Sequence, residues 1–105
     1  MDVLLRIKRL VVSGQVRFTR KAGDEMVLDT LRENEVIEAI VNAVSISKTL
    51  RSTSVARRKG GDRLYVIKGC TYQGTFVYTK GTIRRESGVE VYYILISAKI
   101  ATLAD

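Results

Sequence analysis

The sequence contains no histidine, proline or tryptophan, and Cys70 is its single cysteine. No disulfide can therefore form within the chain, and zinc sites of Cys and His and nucleophilic pairs that use histidine are excluded. We expect Cys70 to be a buried structural thiol. Six of the eleven acidic residues lie in two predicted helical segments, where their side chains are expected to be solvated rather than to converge on a metal ion. No metal ion or other cofactor is therefore expected.

Long hydrophobic runs are absent too. The longest one is VYYILI at residues 91–96, whereas a helix needs about twenty apolar residues to cross a bilayer. The N-terminus lacks a signal-peptide layout, so a cytoplasmic protein without a membrane partner is expected. The 105 residues, 46% hydrophobic and 28% charged, fit a single folded domain spanning residues 1–105.

Positive charge is concentrated in the middle of the chain. Residues 39–85 contain ten Lys or Arg side chains against one acid, Asp62, which gives a local charge of +9 within a total of +7. A charge this segregated favours a polyanionic partner, most often nucleic acid. The alternative is a basic face that is exposed to solvent and binds no partner.

The order of helical and strand patterns predicts the fold class. Helical periodicity covers residues 2–13, Thr19 is placed to cap a second helix, and Thr30 with Glu33 forms a capping box before a third. Strand patterns follow at residues 45–50, 63–67, 75–80 and 90–97, with a basic loop at 51–62. This order predicts an α+β fold whose N-terminal helices pack on one face of a four-stranded, mainly antiparallel sheet.

The other face of that sheet is expected to be free and to carry basic and aromatic side chains. Alternation puts Phe76, Tyr78 and Lys80 on one side of the third predicted strand. On the fourth strand it groups Tyr93, Leu95, Ser97 and Lys99. Lysines neutralise phosphate and tyrosine rings stack on unpaired bases, so the pattern is typical of RNA binding. Tyrosine is also common in strands for packing alone.

Cleavage of RNA is a second activity that these residue types allow. Without a metal, a ribonuclease deprotonates the 2′-hydroxyl, stabilises the charge that develops on the phosphate and protonates the leaving 5′-oxygen. A chain without histidine must use Lys, Arg and Tyr for these steps, with proton affinities set by clustering and burial. Those residue types are all present in the basic region.

Residues 7–22, IKRLVVSGQVRFTRKA, resemble the N-terminal region of the MqsR family, which comprises ribonuclease toxins with a RelE-like fold. Residues 47–48, 77–80 and 96–99 keep the order and spacing of that family. The resemblance implies a metal-independent, sequence-selective endoribonuclease. Such an enzyme cuts messenger RNA and is silenced by a cognate antitoxin protein.

The family's functional residues can be carried over by position. Its lysine on the first predicted strand falls on Lys48, its tyrosine on Tyr78 and its C-terminal lysine on Lys99. Its glutamine falls on Tyr65, and because a phenol lacks the paired donor and acceptor of an amide, base preference or even activity would differ there. These four are the predicted catalytic residues. Predicted contacts to RNA phosphate are Arg51, Lys68, Lys80 and Arg84.

Two other functions stay open at the level of sequence. A non-catalytic module of the same fold would bind RNA in a salt-sensitive way without forming product. A protein-interaction domain would instead use the basic face to meet an acidic protein. A neighbouring open reading frame for a small antitoxin-like protein would favour the toxin.

Overall fold

The computed structural model describes residues 2–51 and 63–105. Within these residues the α+β class is confirmed. No helix of this part of the chain is long and apolar enough to cross a membrane. Apart from Arg51, the predicted basic loop 51–62 lies outside the described residues. The elements are α1 (Val3–Val12), β1 (Val16–Phe18), α2 (Arg20–Leu28), α3 (Glu33–Asn42), β2 (Lys48–Arg51), β3 (Arg63–Cys70), β4 (Phe76–Glu86) and β5 (Val89–Ile100).

The described strands form one five-stranded mixed sheet in the order β1-β5-β4-β3-β2. The prediction of four strands missed β1, which pairs parallel to β5 while all other pairs are antiparallel. Three residues are too few for alternation to indicate a strand. The short β1 is formed because the turn after α1 brings residues 16–18 against the edge of β5.

Side chains near the helix starts determine where two of the helices begin. The hydroxyl of Thr19 accepts the N–H of Ala22 at 3.2 Å, so the predicted cap of α2 is confirmed. The predicted capping box of Thr30 and Glu33 is wrong. Thr30 lies in a turn with φ 53, and Leu31 is buried in the core. The helix therefore starts two residues later, where the Glu35 carboxylate accepts the Arg32 N–H at 2.9 Å.

The three helices cover one face of the sheet and form the core with it. Helix α3 comes very near the sheet at Gly69 of β3, where an added Cβ would overlap the main-chain oxygen of Ala39. A side chain at this position would hold α3 away from the sheet. We call the sheet face opposite the helices the open face. Cys70 ends β3 and is exposed, so the expectation of a buried thiol is wrong.

A β-bulge changes the facing of β5. Lys80 pairs with Ser97 but Gly81 pairs with Leu95, which leaves Ile96 as an extra residue on β5. As a result Tyr93 and Leu95 are fully buried on the helix side, whereas Lys99, opposite Tyr78, is on the open face. The prediction that Tyr93, Leu95, Ser97 and Lys99 share a face is therefore wrong.

Two carboxylates, one in α2 and one directly after it, hold the edge of β5 beyond β1. The N–H of Ala98 donates to Glu25 Oε1 at 3.1 Å and the N–H of Ile100 donates to Asp29 Oδ2 at 2.7 Å. Burial opposes ionisation of Glu25, but hydrogen bonds from the Ser97 hydroxyl, the Ala98 amide and Lys21 outweigh it, so the pKa of Glu25 is lowered. These bonds fix β5 on both sides of Lys99.

Candidate functional site

Tyr78 stands at the centre of a group of lysines on the open face. In the sheet register it lies directly opposite Lys68 of β3 and Lys99 of β5, and side chains in such positions have Cβ atoms about 5 Å apart. The ammonium nitrogen of Lys99 is 5.3 Å from the centroid of the Tyr78 ring. Lys80 follows two residues along β4, on the same face. The phenol is thus flanked by cations on three sides.

Lys48 joins this group from β2. It pairs with Val66, and Val66 pairs with Lys80, so the two lysines lie in one row across the sheet. Val66 is only 4% exposed and forms an apolar floor between them. A cleft of about 240 Å³ opens above this floor. Its lining comprises Ser47, Lys48, Leu50, Val66, Lys68, Tyr78, Ala104 and Asp105.

The residues after β5 enter the cleft, which the sequence did not predict. Asp105 Oδ1 forms an ion pair with Lys99 Nζ at 3.5 Å. Lys68 Nζ donates a hydrogen bond to the main-chain oxygen of Asp105. The main-chain N–H of Thr102 donates to the Asp105 carboxylate and lowers its pKa, with smaller contributions from the Thr102 hydroxyl and from Lys99, while burial opposes them. The carboxylate is therefore ionised at neutral pH.

Tyr65 is not brought to the cleft. It pairs with Gly81, a position where an added Cβ would meet the ring of Tyr93, and it packs against the core on the helix side. Burial, and secondarily the neighbouring Tyr65, raise the pKa of Tyr93. Strand alternation accounts for this placement, because Val66 and Lys68 face the open side and Tyr65 between them faces the helices.

The two predicted arginine contacts lie away from the cleft. Arg51 is exposed at the end of β2 and pairs with Arg63. Arg84 is exposed on β4 opposite Tyr92. The guanidinium of Arg17 stacks on the Tyr92 ring at 4.2 Å, a contact that the sequence did not indicate. A second basic and aromatic cluster therefore lies at the other end of β4, about 20 Å from Tyr78 at 3.3 Å per strand residue.

The chemistry of the cleft must be inferred from its side chains. Among the described ranges 2–51 and 63–105, no three acidic or cysteine side chains converge to hold a metal ion. The structure brings together Tyr78 and four predicted site lysines, namely Lys48, Lys68, Lys80 and Lys99.

Neither a scan against protein-family models nor a search of curated proteins gives a match for the chain.

Proposed function

We propose that this chain is a metal-independent, sequence-selective endoribonuclease that cuts messenger RNA in the cytoplasm. It acts as the toxin of a type II toxin–antitoxin pair, with an MqsR-like version of the RelE-like fold. The observation that supports this most is the position of Tyr78 between Lys68 and Lys99 in the lining of a cleft. A phenol among ammonium groups combines phosphate binding with proton transfer in one place.

The lysines supply the electrostatic part of the reaction. Attack of the 2′-oxygen on phosphorus adds negative charge to the non-bridging oxygens, and charged donors fixed nearby stabilise it more than they stabilise the substrate. Lys68 and Lys99 flank Tyr78 at the distance of neighbouring strands, so a phosphate above the ring contacts both ammonium groups. Because Glu25 and Asp29 hold the edge of β5, Lys99 is positioned by the sheet rather than by a loop.

Proton transfer is assigned to the same group of side chains. The 2′-hydroxyl loses its proton as its oxygen bonds to phosphorus, and the 5′-oxygen gains a proton as its bond to phosphorus breaks. We assign proton transfer to Tyr78, to Lys48 in the cleft lining and to Lys99 beside the Tyr78 ring. Two of them act as base and acid.

The partner that silences such an enzyme has a predictable surface. The open face carries Lys48, Lys68, Lys80 and Lys99, and the exposed Arg84 lies further along β4. An antitoxin that covers this face needs acidic side chains to match it. Its gene is expected next to the gene of this chain.

A non-catalytic RNA-binding module is the second candidate. The stacked pair of Arg17 and Tyr92, together with Arg84, extends the basic and aromatic surface well beyond the cleft. Such a surface suits binding along a single strand, in which phosphates and bases alternate. Binding alone requires no proton transfer at Tyr78.

Expression in a bacterial host separates the two candidates. The wild-type chain and a Lys99→Ala variant are induced in parallel while growth is followed and RNA 5′ ends are mapped. A toxin stops growth and creates new ends at a restricted sequence in the wild type only. Unchanged growth and RNA, with folded protein of both kinds in the cells, would instead favour the binding module.

A further inference from the structure

We propose that Asp105 is a resident anion of the cleft, and that its carboxylate occupies the position that an RNA phosphate takes. Residues 102–105 then compete with substrate and hold the site in a partly blocked state. This inference rests on the proposed function, because RNA is the ligand with which the segment competes. The chain would then limit RNA binding at its own cleft, independently of any antitoxin.

The first argument is the contacts of Asp105. Its carboxylate is 3.5 Å from Lys99 Nζ, and its main-chain oxygen accepts a hydrogen bond from Lys68 Nζ. These are the two lysines that lie on either side of Tyr78. Carboxylate and phosphate oxygens accept the same charged hydrogen bonds from ammonium groups. Both anions therefore require the same donors.

The second argument is the position of the segment within the cleft. Ala104 and Asp105 line it together with Lys48, Lys68 and Tyr78. Asp105 therefore shares the cleft with Lys48 of β2, Lys68 of β3 and Tyr78 of β4, and it also pairs with Lys99 of β5. A phosphate above Tyr78 would need the space that Asp105 now fills.

The third argument is that the segment can leave without unfolding the sheet. Strand pairing ends at Ala101, whose N–H donates to Phe76 O at 2.9 Å. Beyond it, Thr102 donates to the Asp105 carboxylate through its N–H at 2.9 Å and its hydroxyl at 3.0 Å. These bonds lie within residues 102–105 and move with the segment. Among the described residues, a hydrogen bond from Lys68 and an ion pair with Lys99 hold Asp105 to the sheet.

Binding of an RNA that cannot be cut tests the inference directly. The probe is a fluorescent 2′-O-methyl RNA oligonucleotide, which lacks the attacking hydroxyl, and its affinity is measured by anisotropy at fixed salt. Asp105→Asn removes the side-chain charge that pairs with Lys99 and keeps the main-chain oxygen that Lys68 contacts, so we expect its Kd to fall about tenfold, as the screened interaction of charges about 4 Å apart allows. The matched control is Asp24→Asn on α2, which makes the same charge change at an exposed position outside the cleft.

A third variant tests position separately from charge. Thr102→Val keeps the Asp105 carboxylate but removes the hydroxyl that orients it, so a smaller gain in affinity is expected. An unchanged or weaker Kd in Asp105→Asn overturns the inference, as does an equal gain in Asp24→Asn. Cleavage of ordinary RNA is measured on the same proteins. If no product forms while Asp105→Asn still binds more tightly, the nuclease proposal fails and the resident anion stands.

Discussion

Tyr78 and Lys99 lie directly opposite each other on β4 and β5, with the Lys99 ammonium 5.3 Å from the centroid of the Tyr78 ring. They are 21 positions apart in the sequence, and the antiparallel register brings them together. The bulge at Ile96 contributes to this arrangement. Without it, Lys99 would lie on the helix side with Tyr93 and Leu95. The proposed chemistry therefore depends on one irregularity of the sheet.

Tyr78→Phe tests the role of the phenol. Removing only the hydroxyl keeps the ring that packs beside Lys99, so the melting temperature is expected to stay near that of the wild type. The rate of RNA cleavage at saturating enzyme should fall by about two to four orders of magnitude, as expected for loss of a proton-transfer group. Single-turnover kinetics on a labelled RNA measure this rate.

Tyr65→Phe is the matched control for that variant. The substitution is identical, and Tyr65 is on the neighbouring strand, but its side chain packs against the core on the helix side. We expect cleavage within about twofold of wild type, since this phenol does not reach the reacting atoms. Equal losses in the two variants would contradict the assignment of the open face as the active surface.

Lys68→Met tests phosphate binding. Methionine keeps much of the side-chain bulk but removes the charge, so RNA affinity should fall by about tenfold at low salt and the salt dependence should lose about one unit of slope. Arg20→Met on α2 removes one charge from an exposed position outside the cleft and should change the affinity much less. Titrations at several salt concentrations give both quantities, and matching slopes in the two variants would count against Lys68 as a phosphate contact.

Glu25→Gln tests the edge contact between α2 and β5. The pKa of Glu25 is lowered from its ordinary value of 4.5 in the folded protein, so the ionised form stabilises the fold. That contribution is complete above the ordinary pKa and is lost as the pH falls through the lower, folded-state pKa. At pH 7 we expect the variant to be about 1 kcal/mol less stable than the wild type, from loss of charged hydrogen bonds.

Denaturant unfolding across a pH series checks this sign. The stability difference between wild type and Glu25→Gln should shrink towards zero in acid, where the wild-type carboxyl is also neutral. Glu86→Gln at the exposed end of β4 is the control, and its difference from the wild type should be small throughout. A Glu25→Gln difference that grows in acid would have the wrong sign for this account.

Gly69→Ala tests the contact between α3 and the sheet. The new Cβ would overlap the main-chain oxygen of Ala39, which cannot move without the helix, so a loss of more than about 2 kcal/mol in unfolding free energy is expected. Gly23→Ala on α2 meets no atom within 4 Å and should stabilise by about 0.5 to 1 kcal/mol. Thermal or chemical unfolding of both variants gives the comparison, and a neutral Gly69→Ala would show that α3 does not pack this closely.

The periodic spacing of apolar residues along the sequence predicted most of the helices and strands. Helical and strand patterns identified three helices and four of the five strands that the structure describes, and alternation put Tyr78 and Lys80 on one face. It missed β1, which is too short to show a period, and it misassigned the facing of β5 because a bulge leaves no clear mark in the residue pattern. Both failures concern pairing between strands, which local sequence does not specify.

The same division applies to the site. Lys48, Tyr78 and Lys99 were selected by resemblance; the structure places Lys48 and Tyr78 in the lining of one cleft and Lys99 directly opposite Tyr78. Tyr65 was placed by counting residues without a gap, and strand alternation turns it to the opposite face. Asp105 was not anticipated, because its contacts with Lys68 and Lys99 depend on how the segment after β5 folds back.

The central claim is metal-free cleavage of RNA through the 2′-hydroxyl at the Tyr78 cleft, and the ends of the product test it most directly. Purified wild-type chain is incubated with a defined RNA in EDTA, and the fragments are analysed by mass spectrometry. The account predicts fragments with 2′,3′-cyclic phosphate and 5′-hydroxyl ends, formed by the wild type and lost in Tyr78→Phe. Absence of fragments, fragments with 5′-phosphate ends, or equal cleavage by Tyr78→Phe would contradict it.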